Sequence, residues 1–295
     1  MEDVERVQAR LDNIRTVEPI LEALRTISIG SWQTALKQQN RLREYEERLR
    51  AVLPALLPYL PASRRHRLPT IAAALERLAV LVIGSERGLC GRFNAALVEA
   101  AGDYVQTRTQ DGCQVELLAL GGRLVRLLRR RGWELTWSGS LSVTSLPSFA
   151  IAWELSRRWL AAYEARRLDA VDLIYNAHHR PGVYAPTVVR LLPPELPPVA
   201  HEEVWPPPIV ETDPLRIYAR VIEQWVALNL YRVLLESAAS EHSARFQLME
   251  SATQNAERLI FELTQLVQSA RKQAITREMQ VLAVGAGLIG PRRNG

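Results

Sequence analysis

The sequence predicts an α/β fold combined with a coiled coil, in which long N- and C-terminal helices form an antiparallel coiled coil flanking a small Rossmann-like α/β domain. Three observations support this prediction. Apolar residues recur at steps of three and four over residues 2–57 and again over residues 217–274. Between these stripes, apolar runs typical of buried strands alternate with helical patterns. Prolines separate the three regions, at residues 54–61 and 193–214.

Composition indicates a folded protein without a membrane span. Of the 295 residues, 47% are hydrophobic and 23% are charged, which is typical of soluble domains. The net charge of +5 suits nucleic acid, a membrane surface or an acidic protein, and does not choose among them. We expect neither a signal peptide nor a transmembrane helix, since no apolar run approaches about 18 residues. Two cysteines fit a reducing compartment, and the lack of a Cys/His cluster predicts no metal site.

The N-terminal helix is predicted over residues 2 to about 57. Pro19 removes one backbone hydrogen bond, so we expect a kink or a boundary there. The prolines from Pro54 onward end the helix, and a linker with a basic run follows over residues 62–77. The predicted core face comprises Val4, Val7, Leu11, Ile14, Val17, Leu21, Leu24, Ile27 or Ser28, Trp32, Ala35, Leu42, Leu49 and Leu53.

The middle region predicts a small, mostly parallel sheet covered on both faces, because its strands and helices alternate. The strands are expected at Leu78–Gly84, Val115–Gly121, Val171–Ala177 and Thr187–Pro193. The helices are expected at Asn94–Gln106, Leu124–Arg131 and Phe149–Arg166. The last two strands can pair across a turn at Pro181–Gly182. The proline-rich segment Leu192–Pro214 is expected to be an extended linker.

The C-terminal helix is predicted to start at Pro214 and to carry a coiled-coil stripe, because no proline or glycine occurs again before Gly285. We therefore divide the chain into an N-terminal shaft helix (1–60), an α/β domain with linkers (61–212) and a C-terminal shaft helix (213–295). The stripe comprises Ile217, Val221, Trp225, Leu228, Tyr231, Leu235, Ala239, His242, Phe246, Met249, Thr253, Ala256, Ile260, Leu263, Val267, Ala270 and Ala274.

The loop Ser85–Asn94, SERGLCGRFN, allows three interpretations. It follows a strand, yet Gly84, Gly88 and Gly91 lack the spacing of a dinucleotide or phosphate loop. Cys90 could be a nucleophile, but no histidine lies near it in the sequence. The third interpretation, a tight loop that displays charged residues to a partner around a buried cysteine, fits best.

Four segments resemble the gamma subunit of rotary F-type ATP synthases. SERGLCGRFN resembles the family's S-D-R-G-L-C-G-G-x-N. Glu236–Ala256 resembles E-S-x-A-S-E-x-x-A-R-M-x-A-M-x-x-A-T-x-N-A, and Ala270–Met279 resembles A-R-Q-x-x-I-T-x-E-I. Arg10–Leu24 aligns with the family's N-terminal R-I-x-S-V-x-N-T-x-x-I-T-x-A-M without gaps. The motifs occur in the family's order and span both ends and the middle.

The resemblance implies a central rotor shaft that couples ion-driven rotation of a membrane ring to ATP synthesis or hydrolysis on other subunits. It implies no catalytic residue on this chain, no bound cofactor and no small-molecule substrate. The implied partners are the catalytic beta and non-catalytic alpha subunits, the epsilon subunit and the c-ring, with no nucleic acid. The implied place is the cytoplasmic face of the membrane, as a peripheral subunit.

The resemblance also implies partner contacts. Leu24 and Arg25 match the positions that touch the acidic lever of a catalytic subunit, and the loop residues lie near the same lever. Upper contacts are implied on the C-terminal helix, and Val281–Ile289 corresponds to the apolar shaft tip. The implied contact residues are Leu24, Arg25, Glu86, Arg87, Cys90, Arg92, Arg271, Lys272, Thr276 and Glu278.

This chain departs from the family pattern at several positions, two of which are among these contact residues. Gly30 and Trp32 fall in the family's A-A-S-K-M-R segment, Lys272 replaces a glutamine, and Arg92 replaces a glycine. We expect that the residue before Phe93 no longer needs a left-handed backbone and that Arg92 adds positive charge toward an acidic lever. The alternative function is a non-rotary basic coiled-coil scaffold or a nucleic-acid-binding protein, supported by the net charge and by Arg129–Arg131.

Overall fold

A computed structural model describes residues 2–56, 59–60, 75–195 and 209–286. Most of the two predicted linkers and the end of the predicted shaft tip, residues 287–289, lie outside the described residues. The elements in chain order are α1 (Glu2–Leu56), β1 (Arg77–Ile83), α2 (Phe93–Gln110), β2 (Gln114–Leu120), α3 (Gly122–Arg130), β3 (Trp137–Gly139), α4 (Phe149–Glu164), β4 (Ala170–Arg180), β5 (Val183–Leu192) and α5 (Pro214–Gly285). Within these residues, no helix has an apolar stretch long enough to cross a membrane.

The chain forms two compact units. One consists of Met1–Ile27 with Gln247–Gly295, and the other of Ser28–Phe246. We call them the helical unit and the sheet unit. The predicted fold class is confirmed, since long terminal helices flank a central mixed sheet.

The sheet has five strands in the order β3-β2-β1-β4-β5. The first four are parallel, and β5 runs antiparallel to β4 across the predicted turn at Pro181–Gly182. The prediction of a mostly parallel sheet is therefore confirmed. The short strand β3 was not predicted, because its three residues, Trp137–Gly139, form no apolar run.

Both faces of the sheet are covered, as predicted. Alternate residues of β1 point to opposite sides, so Leu81 packs beneath α4 and α5 while Val80 packs beneath α2 and α3. Trp159 and Leu230 belong to the first layer, and Phe93 and Leu124 to the second. β1 is therefore apolar throughout, as expected for a central parallel strand.

Within the sheet unit, α1 and α5 pack antiparallel. Leu42, Leu49 and Leu53 of α1 form one apolar cluster with Val221, Leu228 and Leu235 of α5. Gln38 accepts a hydrogen bond from Tyr231, and Tyr45 donates one to Gln224, so the residue numbers run in opposite directions along the contact. This is the predicted coiled coil, with polar pairs beside an apolar seam.

Within the helical unit, the remaining parts of α1 and α5 also pack antiparallel. Leu11 is buried against Leu263 and Val267. Arg25 donates a hydrogen bond to Glu250 at 2.8 Å, and Arg271 donates one to Gln8 at 3.4 Å. A small apolar centre with polar pairs on both sides therefore fixes the pairing of the two segments.

The burial of α1 corrects part of its predicted core face. Ser28 is buried, whereas Ile27 is 62% exposed, so the structure chooses Ser28. Val17 is 47% exposed, which shows that its assignment to the core was wrong. The helical repeat explains this difference. Steps of three and four along α1 place Leu21, Arg25 and Ser28 on the same face as Leu11, and Val17 and Leu24 each lie one position off that face.

Pro19 does not mark a boundary, since α1 continues from Glu2 to Leu56. The proline is exposed on the helix surface. Its missing N–H costs one helical hydrogen bond, but the packing of Leu11 against α5 stabilises the preceding turns. Of the two expectations, the boundary was therefore wrong, because packing outweighs the local preference, and the kink stays a prediction.

Candidate functional site

One buried amide holds together the two ends of the Ser85–Asn94 loop, which connects β1 to α2. The Asn94 side chain accepts a hydrogen bond from the Ser85 backbone N–H at 2.9 Å and donates one to the Ser85 hydroxyl at 2.6 Å. Asn176 of β4 donates a hydrogen bond to the Phe93 carbonyl at 2.9 Å. Side chains in the protein interior therefore set the conformation of the loop.

Cys90 lies inside this loop with 3% of its surface exposed. Its Sγ is 3.6 Å from the Ser85 hydroxyl and 3.7 Å from the Asn94 amide nitrogen. Burial raises the pKa of the Cys90 thiol. A nucleophilic cysteine needs a lowered pKa and access, so the geometry supports the packing role. The partner contact predicted for Cys90 stays a prediction, and the side chain faces the interior of the loop.

Both native thiols are expected to be unreactive in the folded chain. Cys90 and Cys113 are both buried, and the raised pKa of Cys90 lowers its thiolate fraction further at pH 7. A maleimide reagent should label neither residue until denaturant is added, after which both should react. Mass spectrometry of peptides after timed labelling measures this, and rapid native labelling of Cys90 would contradict the buried packing role.

Glu86 has an internal role that the sequence did not predict. Its Oε2 accepts hydrogen bonds from the backbone N–H groups of Gly122 and Leu141, each at 2.8 Å. Gly122 begins α3, where N–H groups lack helical partners and negative charge is favoured. A Cβ at Gly122 would lie 2.4 Å from Glu86 Oε1, so the glycine makes room for the carboxylate. The partner contact predicted for Glu86 remains a prediction beside this role.

Replacing Glu86 by alanine is expected to lower the free energy of unfolding of the sheet unit by about 1–3 kcal/mol, because two half-buried N–H groups lose a charged acceptor. Urea unfolding followed by tryptophan fluorescence measures the change. Glu99→Ala is the matched control. Glu99 is 51% exposed and pairs with the exposed Arg92 at 3.5 Å, so this substitution should change stability by less than about 0.5 kcal/mol. Equal effects of the two substitutions would contradict the internal role.

A buried ion pair on α5 anchors the middle of the loop. Arg245 forms a hydrogen bond and an ion pair with Glu241, one turn earlier, and the two side chains are only 11% and 12% exposed. The same guanidinium donates to the Gly88 carbonyl at 3.4 Å. Sequence analysis missed both residues. The sequence pattern that could have indicated them is a pair of opposite charges four residues apart, Glu241 and Arg245, within the stripe of the C-terminal helix.

Two further shifts follow from burial at this ion pair. Burial raises the pKa of Glu241, while the charge and hydrogen bond of Arg245 act in the opposite direction. Burial and the nearby guanidinium of Arg245 lower the pKa of His242 to about 4. At pH 7 the imidazole is therefore neutral, and its Nδ1 can accept an N–H from Arg245 at 3.2 Å. Arg245, which donates to the Gly88 carbonyl, therefore connects the loop to α5 from within a cluster of buried polar side chains.

The outer side of the loop is basic. The side chains of Arg87 and Arg92 are exposed, and the Arg92 side chain is 81% exposed, with a 3.5 Å contact to Glu99 on α2. Arg92 has a φ of −82°, which any residue adopts, whereas Gly91 has a φ of +62°. The expectation that position 92 needs no left-handed backbone is confirmed. Contacts of Arg87 and Arg92 with a partner stay predictions.

In the helical unit, Arg25 faces an acid of its own chain. The Arg25–Glu250 pair has side chains about one-third exposed, and the hydrogen bond from Arg25 lowers the pKa of Glu250. Gln254 donates a second hydrogen bond to Glu250 at 3.0 Å. Leu24 is half-buried beside them. The predicted contact of Leu24 and Arg25 with an acidic lever stays a prediction, and Arg25 already lies next to a carboxylate.

The predicted upper contact residues all lie on exposed turns of α5. At about 100° per residue, Arg271 and Glu278 share one side of the helix, while Lys272 and Thr276 share another. The Thr276 hydroxyl donates to the Lys272 carbonyl at 2.8 Å. The structure therefore presents these residues as two adjacent polar pairs and does not gather them into one cluster.

A family model and individual relatives match this chain to the same family over nearly its whole length. A family model described as ATP synthase matches residues 3–287. The ATP synthase gamma chain of Rubrobacter xylanophilus is 32% identical over 292 residues, covering 97% of this chain and 98% of the relative. That of Pelotomaculum thermopropionicum is 27% identical over 289 residues, covering 98% and 100%.

Solved structures of ATP synthases contain chains with a similar fold. A chain of the Euglena gracilis mitochondrial ATP synthase, in a structure of its OSCP/F1/c-ring, aligns with a TM-score of 0.61 at 14% identity and covers 100% of this chain and 99% of its own. A chain of the Tetrahymena thermophila central stalk and c-ring aligns with a TM-score of 0.57 at 19% identity, covering 79% and 99%. At these identities the likeness concerns the fold.

Proposed function

This chain belongs to the family of ATP synthase gamma chains, and from that membership we infer that it is the central rotor shaft of an F-type ATP synthase. The observation that carries the proposal is the full-length match to gamma chains, on a fold with long terminal helices that pair antiparallel and with a sheet that is covered on both faces. Such a subunit acts mechanically. Rotation of the shaft changes which conformation each catalytic site favours, and ligands bound at those sites in turn favour particular rotation angles of the shaft.

We infer that the partners are the alpha and beta subunits of the ATPase head, the epsilon subunit and the membrane c-ring. The similar solved structures are of central stalk and c-ring and of OSCP/F1/c-ring assemblies, which supports the head and the ring as partners. The epsilon subunit is inferred from membership of the family. The chain is then a non-catalytic, peripheral subunit at the cytoplasmic face of the membrane. The shaft helices 1–60 and 213–295, together with the Ser85–Asn94 loop of the α/β domain 61–212, would carry the contacts to the head, and the rest of that domain the contacts to epsilon and the ring.

Two features of the structure suit a rotor. The Ser85–Asn94 loop is braced from inside by Asn94, Glu86 and Arg245, so a force applied to its exposed arginines is transmitted to the sheet and to α5. In the helical unit, the polar pairs flanking Leu11 oppose sliding of α1 along α5. A contact surface that transmits torque needs this stiffness, because a compliant loop would deform before the partner moved.

The proposal is tested by assembly. The chain is co-expressed with the alpha, beta and epsilon subunits encoded in the same organism, and the purified complex is assayed for ATP hydrolysis. We expect one stable complex containing this chain and hydrolysing ATP, with no activity from the chain alone. Failure of the chain to enter an active complex would overturn the proposal. A filter-binding assay with DNA and RNA at low and moderate salt tests the scaffold alternative, which predicts salt-dependent binding.

The double substitution Arg271→Ala/Lys272→Ala is expected to weaken coupling without weakening the fold. Both side chains are exposed, and the hydrogen bond from Arg271 to Gln8 is a surface contact at 3.4 Å, so the free energy of unfolding should change by less than about 1 kcal/mol. Gln8→Ala, which removes the same hydrogen bond, is the control for its loss. ATP-driven ion pumping per ATP hydrolysed should fall, because the proposed contact of these two cations with the head is lost. Arg277→Ala, another exposed cation on the same helix, is the control for general charge effects. Normal pumping by the double variant would exclude the assigned upper contact.

A further inference from the structure

A cleft with an aromatic wall lies between α1, α4 and α5 in the sheet unit. The ring centroid of Phe149 is 5.5 Å from that of Tyr231, in an edge-to-face arrangement, and 6.1 Å from that of Trp153. Leu42 and Leu228, both buried, line the inner side of the cleft. Its volume is about 650 Å³, and small-molecule sites have roughly 300–1,000 Å³. The cleft is therefore large enough to hold a small organic molecule.

The fold uses the aromatic rings of this cleft only in part. Phe149 remains 39% exposed, and Tyr45 of α1, which also lines the cleft, is 47% exposed. Arg220 stacks over the Trp153 ring at 5.1 Å from its centroid and pairs with Glu223 at 2.8 Å. The chain itself thus covers one side of the Trp153 ring, and the ring still lines the cleft. Aromatic rings grouped in this way offer faces and edges to another planar ring.

The polar side chains of the cleft are hydrogen-bond donors without acceptors. Tyr231 donates to the Oε1 of Gln38 at 3.2 Å, and Tyr45 donates to the Oε1 of Gln224 at 3.5 Å. Each amide therefore uses its oxygen to join α1 to α5, and neither NH₂ group has a partner among the described residues. In the same part of the chain, the Arg41 guanidinium has no hydrogen bond or ion pair.

This set of donors indicates the charge of a matching ligand. Two amide NH₂ groups and one guanidinium line the cleft, and its described lining contains no aspartate or glutamate. A cation would meet only donors there, whereas an anion can accept hydrogen bonds from all three groups. An aliphatic anion would leave the aromatic wall unused. A flat ring that carries an anionic group satisfies both the wall and the donors.

We propose that this cleft binds a small planar aromatic anion, of the class of aryl carboxylates and sulfonates. Its ring lies against Phe149 and Trp153, and its anionic group accepts hydrogen bonds from Arg41 and the two glutamine amides. Because the cleft joins both terminal helices to α4, an occupant stabilises their packing on the α/β domain. The site is separate from the Ser85–Asn94 loop and does not depend on the rotor function, so its failure would leave that function untouched.

Binding is tested on the full chain with anilinonaphthalene sulfonate, a fluorescent aromatic anion. Phenylnaphthylamine, which has the same rings without the sulfonate, is the neutral comparison. Fluorescence titration should show saturable binding of the sulfonate. The thermal midpoint of the chain should rise with its concentration, because a ligand that binds only the folded state stabilises that state. Absence of saturable binding, or an unchanged thermal midpoint at saturation, would overturn the site.

A bulky substitution locates the binding. Ala150 is exposed and lines the cleft, so Ala150→Trp places an indole in its mouth and should abolish saturable binding of both compounds. Ala161→Trp is the control, because Ala161 is exposed on nearly the same side of α4, about 16 Å farther along and outside the cleft. It should leave both affinities unchanged. Sulfonate binding that survives in folded Ala150→Trp would contradict the proposed location.

A matched pair of arginines tests the anionic group. Arg41→Gln should weaken binding of the sulfonate by about fivefold or more and leave binding of phenylnaphthylamine unchanged. Arg48→Gln removes another exposed arginine, two turns farther along α1 and outside the cleft, and should change neither affinity. Circular dichroism checks that each variant is folded, and if Ala150→Trp is not, the arginine pair decides. Equal effects of the two arginine substitutions, or equal losses for the two compounds, would overturn the assignment of an anion to this cleft.

Discussion

Replacing Arg245 by alanine is expected to lower the free energy of unfolding of the sheet unit by about 3–5 kcal/mol, the largest loss we predict for a polar side chain. The substitution leaves the Glu241 carboxylate buried at 12% exposure without its countercharge and removes the donor to the Gly88 carbonyl. Urea unfolding followed by tryptophan fluorescence measures the loss. The Ser85–Asn94 loop should also lose its fixed position, so maleimide labelling of Cys90 should become faster.

The loss in Arg245→Ala should depend on pH with a definite sign. Burial already raises the pKa of Glu241, and removal of Arg245 raises it further. The folded state then binds the proton more tightly than the unfolded state, so stability falls as pH rises from the unfolded pKa through the folded pKa. The variant should therefore be least impaired in acid and most impaired above neutrality, relative to the unmodified chain.

A matched pair provides the control for Arg245. Arg258 and Glu262 have the same i, i+4 spacing on α5, but their side chains are 67% and 54% exposed and 3.9 Å apart. Arg258→Ala should change stability by at most about 0.5 kcal/mol. If the two arginine substitutions cost the same, burial of the Glu241–Arg245 pair would not explain its importance.

Replacing Leu263 by alanine is expected to destabilise the pairing of α1 and α5 in the helical unit by about 2–5 kcal/mol. Leu263 is 6% exposed and forms, with Leu11 and Val267, the buried apolar centre of that unit. Because few side chains form this apolar centre, the loss of one isopropyl group removes a large fraction of its buried apolar surface. Amide hydrogen exchange over residues 2–27 and 247–285 should accelerate by at least tenfold, with the sheet strands unchanged.

Leu266→Ala is the control for this substitution. It removes the same side chain three residues farther along the same helix, where Leu266 is 55% exposed, so stability should change by less than about 0.5 kcal/mol. A loss of ATP-driven pumping by Leu263→Ala, with pumping retained by Leu266→Ala, would show that the paired helices are needed for coupling. Equal exchange rates in the two variants would contradict the buried centre.

Local sequence patterns were sufficient to predict most of the fold. The apolar runs of β1, β2 and β4 lie at the centre of a sheet that is covered on both faces. Such strands do not alternate apolar and polar residues, so a continuous apolar run predicts them. The stripe on α5 was predicted over its full length, because a single repeat continues from Val221 to Val267 without a proline or glycine. The short edge strand β3 has no such run, and its pairing with β2 depends on the tertiary fold.

The candidate site was less predictable, because its contacts join distant parts of the chain. The partners of Glu86 lie 36 and 55 residues farther along, and the contact from Arg245 to Gly88 spans 157 residues. Nothing in SERGLCGRFN reveals that Glu86 turns inward while Leu89 is exposed. The motif located the loop, and only the three-dimensional contacts separate the residues that brace it from those that it presents.

ATP-driven rotation of this chain against an immobilised head complex tests the central claim most directly. A cysteine at the exposed position Gln110 takes a bead, since the native thiols are buried, and the head is fixed to a surface through its beta subunits. A rotor shaft predicts unidirectional rotation of the bead upon addition of ATP and arrest when ATP is exhausted. Sustained ATP hydrolysis by complexes that contain the labelled chain, with the bead stationary, would contradict the account.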